Sequence, residues 1–510
     1  MLVIKRKERC YPLFNFELLA FIIYFTAVLG IGIFFFFKTK SGGEKDYFLG
    51  GRSMGAWVSA LSAGASDMSS WVLMGLPASI LAAGLGQSWI AIGLAIGTSL
   101  SWILLARRLR KFSIVSKDSI TIPQFLTNRF LSESKALQIV SALVFLVVYS
   151  VYAASSIKAC GTLFNTVLGL DAKIAMYVAA AIILVYTFLG GFSAVCWTDF
   201  VQGLIMLAAL MVAPIAAVAM MNAPTWVSEA PVVAEGYWSM LVTGKFDWTS
   251  VATILSGLGW GLGYFGMPHI IVRYMAIKSD AEVKRSRVIG ISWTVIILVA
   301  AVAVGLIGRV FLVDIADESH VFIEMVRRIF PGFIAGILLS AILAASMSTA
   351  DSQLLAAASA FASDVYKPVI RKKASDAEMN WAGRIVVVII TIVAVLIASN
   401  PNSGTIMSLV ENAWGAFGAA FGPVIILALF WKRFTYKGAL SGIIAGFAVD
   451  VLWLVFLTDA FKGVMLVDTQ IYEIIPGFIA GLVAAVIVSL CDKAPSKEVL
   501  ELCELAEKQD

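Results

Sequence analysis

The chain has 510 residues, 60% of them hydrophobic and only 14% charged, with a mean hydropathy of +0.91, which excludes an ordinary soluble domain. Its net charge of +5 is small for the length and gathers in a few loops, so it does not point to nucleic acid as a partner. Five cysteines (Cys10, Cys160, Cys196, Cys491, Cys503) without a CxxC spacing, and two histidines (His269, His320), supply no disulfide framework and no zinc motif, and no enzyme is expected.

Apolar stretches of the roughly 20 residues needed to cross a bilayer lie near 14–37, 55–83, 86–106, 137–168, 173–191, 194–221, 249–275, 286–313, 333–361, 382–399, 403–431, 438–457 and 474–491. These predict an all-α polytopic membrane protein with about thirteen transmembrane helices. None reads as an alternating strand, so a barrel is not expected. The first stretch follows Lys5, Arg6, Lys7 and Arg9 and is too long for a signal-peptide core, so it reads as a retained span. A tight turn at Gly190 and Gly191 separates the fifth and sixth. One membrane domain then covers 1–492, and 493–510 forms a short charged tail. Basic residues crowd the segments 38–54, 106–136, 273–287, 366–384 and 431–437, whereas 222–248 and 458–473 hold few. The positive-inside rule therefore places the C-terminus in the cytoplasm and the N-terminus outside, against the preference of the N-terminal basic cluster.

Two of these stretches are interrupted. The second, Gly55 to Gly84, carries Asp67 near its middle among Gly64, Ala65, Ser66, Ser69 and Ser70. A carboxylate at that depth needs a cavity, a partner or water. A helix that breaks there exposes carbonyls able to bind a hard cation. The seventh contains GLGWGLGYFGMPHI, with Gly257, Gly259, Gly261, Gly263 and Gly266 before Pro268. That density weakens a helix, although small residues also serve close packing. Two broken helices five spans apart point to an inverted-repeat transporter with its site between the breaks.

On the ninth stretch Ala345, Ser348 and Thr349 fall at i, i+3 and i+4 and share a face. They could complete a cation shell begun by the carbonyls of Ala65 and Met68. Hydroxyls bonded back to the preceding turn explain the same spacing. Asp199 and Asp351 are further membrane acids: the first can cap a helix start, and the second has no basic partner nearby in sequence. Arg52 reads as a topology signal or a gate residue. Trp71, Tyr152, Trp260 and Tyr264 could wall an apolar pocket or simply pack, and His269 reads as a satisfied structural residue. The segment 317–330 looks like an amphipathic helix over the site or at the interface.

FLGGRSMG, ALSAGASDMSSW, GGFSAVCWTDFVQG, GLGWGLGYFGMPHIIVRYMA and ILAASMSTADSQLL, in this order, resemble the sodium/solute symporter family, most closely its bacterial sodium/proline symporters. The resemblance implies a leucine-transporter-type fold in a bacterial inner membrane, with inverted repeats over about 55–221 and 249–431. It implies co-transported sodium held by Ala65, Met68, Ala345, Ser348 and Thr349, with Asp67 coupling sodium to the solute. Ser69, Trp71, Tyr152, Trp260, Tyr264 and Pro268 would then bind the substrate, most readily L-proline, with another amino acid or a monocarboxylate as the alternative. A transporter-like solute sensor is the second class considered. The family's proline transporters carry glycine where this chain has Ser70 and glutamine where it has Met267. Asp199, Asp351 and Ser352 are read as a second cation site.

Overall fold

The computed structural model describes residues 16–39, 43–189, 191–221, 233–312, 315–458 and 467–508. Lys5, Arg6, Lys7, Arg9, Cys10 and Gly190 lie outside them, as do parts of the 222–248 and 458–473 loops. Among the described residues the regular structure is helical, apart from one parallel bridge between Met54 and Ile277. Ten helices there are long and apolar enough to cross a membrane. The expected stretch 173–191 gives a shorter apolar helix, and 55–83 and 249–275 give helices in pieces.

In chain order the principal helices are α1 (Phe16–Thr39), α2 (Ala56–Asp67), α3 (Leu76–Ala83), α4 (Trp89–Leu100), α5 (Ala106–Val115), α6 (Ala136–Leu168), α7 (Ala172–Leu189) and α8 (Phe192–Met220). There follow α9 (Trp248–Gly259), α10 (Pro268–Ala276), α11 (Asp280–Phe311), α12 (Gly332–Ala360), α13 (Asp376–Ser399), α14 (Ile406–Phe430), α15 (Tyr436–Phe456), α16 (Ile474–Cys491) and the tail helix α17 (Lys497–Lys508). Several starts are fixed locally by side chains that accept orphan backbone N–H groups: Asp247 for α9, Ser279 for α11, Ser375 for α13 and Thr435 for α15. Thr405 and Ser408 cap α14 reciprocally. α12 is the buried axis, packed by α1, α2, α6 and α8, while α15 and α16 pair at the side of α14.

Both predicted breaks are present. α2 stops at Met68, whose backbone leaves helical geometry (φ −78°, ψ 73°) while its N–H still donates to Gly64 O at 2.8 Å. A wide turn over Trp71–Gly75 then leads into α3. In the second break α9 tightens over Trp260–Phe265, Met267 is extended, and Pro268 opens α10 where its missing N–H costs nothing. The glycines here also serve packing. A Cβ on Gly263 would stand 2.0 Å from the Trp414 indole nitrogen. One on Gly97 would stand 2.3 Å from Gly261 O, and one on Gly261 2.4 Å from Gly93 O, so α4 and the second break meet backbone to backbone.

The face carrying the basic loops is latched. Met54 N–H donates to Ala276 O (3.2 Å) and Lys278 N–H to Met54 O (2.9 Å), joining the start of α2 to the end of α10. Arg52, only 9% exposed, donates to Asp118 (3.0 Å), Ser113 (3.0 Å), Met275 O (2.6 Å) and Ser119 O (2.8 Å). Lys45 also pairs with Asp118. Arg52 is thus a buried clasp as well as a basic loop residue. In the 317–330 segment, Val321–Ile329 is helical, buries Phe322, Ile323, Met325 and Val326, and ties Arg327 to Glu17 of α1 at 2.9 Å.

Candidate cation and solute site

The end of α2 lies against the middle of α12. Ser348 Oγ donates to Ala65 O at 2.8 Å and sits 3.1 Å from Ala345 O; Thr349 Oγ1 is 3.4 Å from Ala65 O. Four of the five residues read as a cation shell therefore converge. Met68, the fifth, is buried at the point where α2 ends. The bond from Ser348 to Ala345 O is the back-bonding that spacing alone allowed, but the bonds to Ala65 join two helices. Each hydroxyl keeps lone pairs, and each carbonyl a second one, for a hard cation.

Asp67 is buried beside this shell, 1% exposed. Its Oδ2 accepts a hydrogen bond from Tyr264 in the second break, and its Oδ1 has no partner. The Trp71 indole N–H turns back to Asp67 O at 3.1 Å. Trp71 then faces Trp260 (ring centroids 6.2 Å apart), which packs on Tyr472 (5.2 Å). Trp414, on α14, donates to Trp260 O at 2.7 Å and meets Tyr264 edge-on at 5.2 Å. Ser101 holds Tyr264 O at 3.1 Å. The hydroxyls of Ser70 and Tyr152 are buried without partners, and Ser69 and Tyr152 are likewise enclosed. Buried polar atoms left unpaired are costly. Asp67 Oδ1, Ser70 Oγ and Tyr152 OH are therefore groups that a polar solute can satisfy. Pro268 is set apart from the aromatic cluster in one respect: it lines a cleft with Phe192, Arg273, Ser352 and Ser359.

Asp199, Asp351 and Ser352 also come together, around Arg273, a residue from the basic segment 273–287. Arg273, 2% exposed on α10, donates to Asp199 Oδ2 (3.0 Å), Ser62 Oγ (2.8 Å), His269 O and Ser352 Oγ. Ser62 Oγ donates to the same Asp199 oxygen at 2.7 Å, and Ser352 Oγ lies 3.3 Å from Asp351 Oδ1. A guanidinium thus stands among the three residues read as a second cation site. The signal in the sequence was there: Arg273 follows His269 by one helical turn on an apolar helix, and a buried Asp199 requires a countercharge. His269 has the structural role expected, its Nε2 3.2 Å from Ser66 O and its Nδ1 3.3 Å from the Tyr149 hydroxyl.

A membrane helix bundle whose two broken helices meet around a buried carboxylate and a ring of oxygen donors defines a secondary transporter. The family model described as the sodium:solute symporter family matches residues 47–446, and the chain belongs to that family. It is 45% identical over 492 residues to the osmoregulated proline transporter OpuE of Bacillus subtilis (strain 168), covering 95% of this chain and 97% of that protein. It is 41% identical over 487 residues to the sodium/proline symporter of Escherichia coli (strain K12), covering 94% of each. Among solved structures, a substrate-bound, outward-open Na+-coupled sialic acid symporter superposes with a TM-score of 0.77 at 20% identity, over 94% of this chain and 99% of that one. A nucleobase-cation-symport-1 family transporter in a closed conformation gives 0.54 at 13% identity, over 90% and 98%. The fold is therefore the leucine-transporter type that the family resemblance implied.

Proposed function

We propose that this protein is a sodium/proline symporter that imports L-proline by alternating access. The observation carrying this reading is Asp67: it adjoins the Ala65–Ser348–Thr349 oxygens on one side and is bonded to Tyr264 of the aromatic cluster on the other. Sodium entering the oxygen shell, with Met68 and Ala345 as further ligands, draws the end of α2 onto α12. That fixes Asp67 and the residues after it, where Ser69, Trp71, Tyr152, Trp260 and Tyr264 receive the solute, with Pro268 shaping the start of α10. A pyrrolidine ring suits aromatic walls, and its charged groups suit helix ends and the unpaired polar atoms. Sodium acts only through its higher affinity for the solute-ready state, so saturating proline must tighten sodium binding by the same factor. The two interrupted and the one shorter apolar stretch cross the membrane with the ten long helices. Residues 55–221 and 249–431 form the inverted repeats, in a bacterial inner membrane with the C-terminus cytoplasmic and the N-terminus outside.

Sodium-gradient uptake of labelled proline into proteoliposomes, with unlabelled amino acids and monocarboxylates as competitors, tests this. Uptake without a sodium requirement, or better competition by another solute, overturns it, and binding without uptake would make the protein a sensor. The unpartnered Ser70 hydroxyl favours one second reading, a solute with one more hydrogen-bonding group than proline.

A further inference from the structure

Tyr472, which packs on Trp260, also lines a cavity of about 740 Å³ between α6, α14, α15 and the start of α16. Its floor is acidic. Glu411 on α14, Asp450 on α15 and Glu473 at the N-cap of α16 all line it. Asp450 is 1% exposed and neither of its carboxylate oxygens has a partner; Glu473 is 3% exposed and its Oε1 has none. These side chains converge on a missing side chain: a Cβ on Gly415 would stand 3.0 Å from Asp450 Oδ1 and 3.4 Å from Glu473 Oε1. The space the glycine leaves is the space these oxygens face. Apolar side chains, Val151, Leu454, Ala416 and Phe447 among them, line much of the rest, beside the polar Asn400, Asn402, Asn412 and Gln470.

The charges around the cavity do not neutralise the floor. Lys158 of α6 lies at the rim, but its ammonium is bonded to Ser403 Oγ (3.3 Å) and Gly404 O. The positive end of α16 at Glu473 offsets only part of a charge. The Tyr472 hydroxyl donates to Glu411 O at 2.8 Å, a backbone atom, and leaves the carboxylates alone. Leaving these three carboxylate oxygens without a hydrogen-bond partner is expensive. A cation is the ligand that removes that cost, and the cavity indicates which kind. It is far larger than a bare ion needs. Among the described residues no group of three or more His, Cys, Asp or Glu is arranged to hold a metal. Acidic groups beside the apolar patch of Val151, Leu454 and Ala416 fit a charged nitrogen on a short hydrocarbon body.

We propose that this cavity binds a small aliphatic ammonium compound, its nitrogen between Asp450 and Glu473 and its hydrocarbon against Val151 and Leu454, at a site separate from the one between the helix breaks. The two sites share Tyr472, which packs on Trp260 and also lines the cavity. The proposal does not rest on proline being the transported solute.

Isothermal titration of butylammonium chloride into the full chain in lipid nanodiscs, with sodium and proline saturating, tests it. Saturable binding is expected, with none for butanol or calcium chloride. Asp450→Asn should weaken it by roughly tenfold or more. Val151→Trp, which takes the place of the hydrocarbon at the apolar wall and alters no charge, should do the same. If Asp450→Asn does not yield folded protein, Glu473→Gln serves in its place. Three results overturn the proposal: no butylammonium binding to the unsubstituted chain, calcium bound instead, or affinities unchanged by the substitutions.

Discussion

The Tyr264 hydroxyl donates to the Asp67 carboxylate, so one hydrogen bond joins the break after α2 to the break before α10. Each residue lies where its own helix is interrupted, and the bond between them is enclosed by protein. Tyr264→Phe removes a hydrogen bond to a charged group, worth about 1.5–3 kcal/mol. Expected is a rise of roughly tenfold or more in the proline concentration for half-maximal uptake. Asp67→Asn should act mainly on the sodium requirement. Uptake rates across a sodium titration separate the two, and unchanged sodium dependence in Asp67→Asn would contradict its role.

Ser348 makes the shorter contact with Ala65 O, 2.8 Å against 3.4 Å for Thr349. Either hydroxyl removed takes one oxygen from the cation. Ser348→Ala also frees the carbonyl that helps hold α2 to α12. Sodium half-saturation should therefore rise more in Ser348→Ala than in Thr349→Ala, with Thr349→Ser nearly normal. The same sodium titration checks the order.

Arg273 bridges Asp199, Ser62 and Ser352 in the buried centre. Arg273→Met leaves Asp199 and Asp351 without that guanidinium, and breaking a buried pair in this way costs about 3–5 kcal/mol. The melting temperature in detergent should fall sharply, and the double substitution Arg273→Met with Asp199→Asn should recover part of the loss. If Asp199, Asp351 and Ser352 hold a second cation, Asp351→Asn should change the ratio of sodium to proline transported. An unchanged ratio and pH profile would rule that out.

The clasp at the basic face makes a conformational prediction. Asp118 receives both Arg52 and Lys45, and Arg52 is bonded in turn to Met275 O of α10. Asp118→Asn weakens the anchor without removing bulk. In a cysteine-free background, a cysteine at Ser359, which lines the cleft beside Pro268, should react faster with a polar thiol reagent after this substitution. An unchanged rate would mean that the clasp does not close that face.

Much of this was legible along the chain because membrane burial makes polar residues conspicuous. Asp67 announced the first break, the glycines before Pro268 the second, and the i, i+3, i+4 spacing of Ala345, Ser348 and Thr349 one face of α12. Arg273 was not legible in the same way. Its position next to Lys278 and Lys284 made it read as a loop charge, whereas α10 runs to Ala276 and keeps it inside. Trp414 was also missed. An indole on an apolar helix looks like packing until the fold brings its N–H to Trp260 O. The acids Glu411, Asp450 and Glu473 stand far apart along the chain and become one floor only when α14, α15 and α16 are assembled. What spacing cannot carry is contact between distant segments.

The backbone-to-backbone contact of α4 with the second break sets how motion passes through the molecule. Gly93 and Gly97 touch Gly261 with no side chain between them. Side chains at such an interface can change rotamer and absorb a displacement; bare backbones cannot. A tilt of the segment around Trp260 must therefore be handed to α4 almost undiminished, and the two move as one lever.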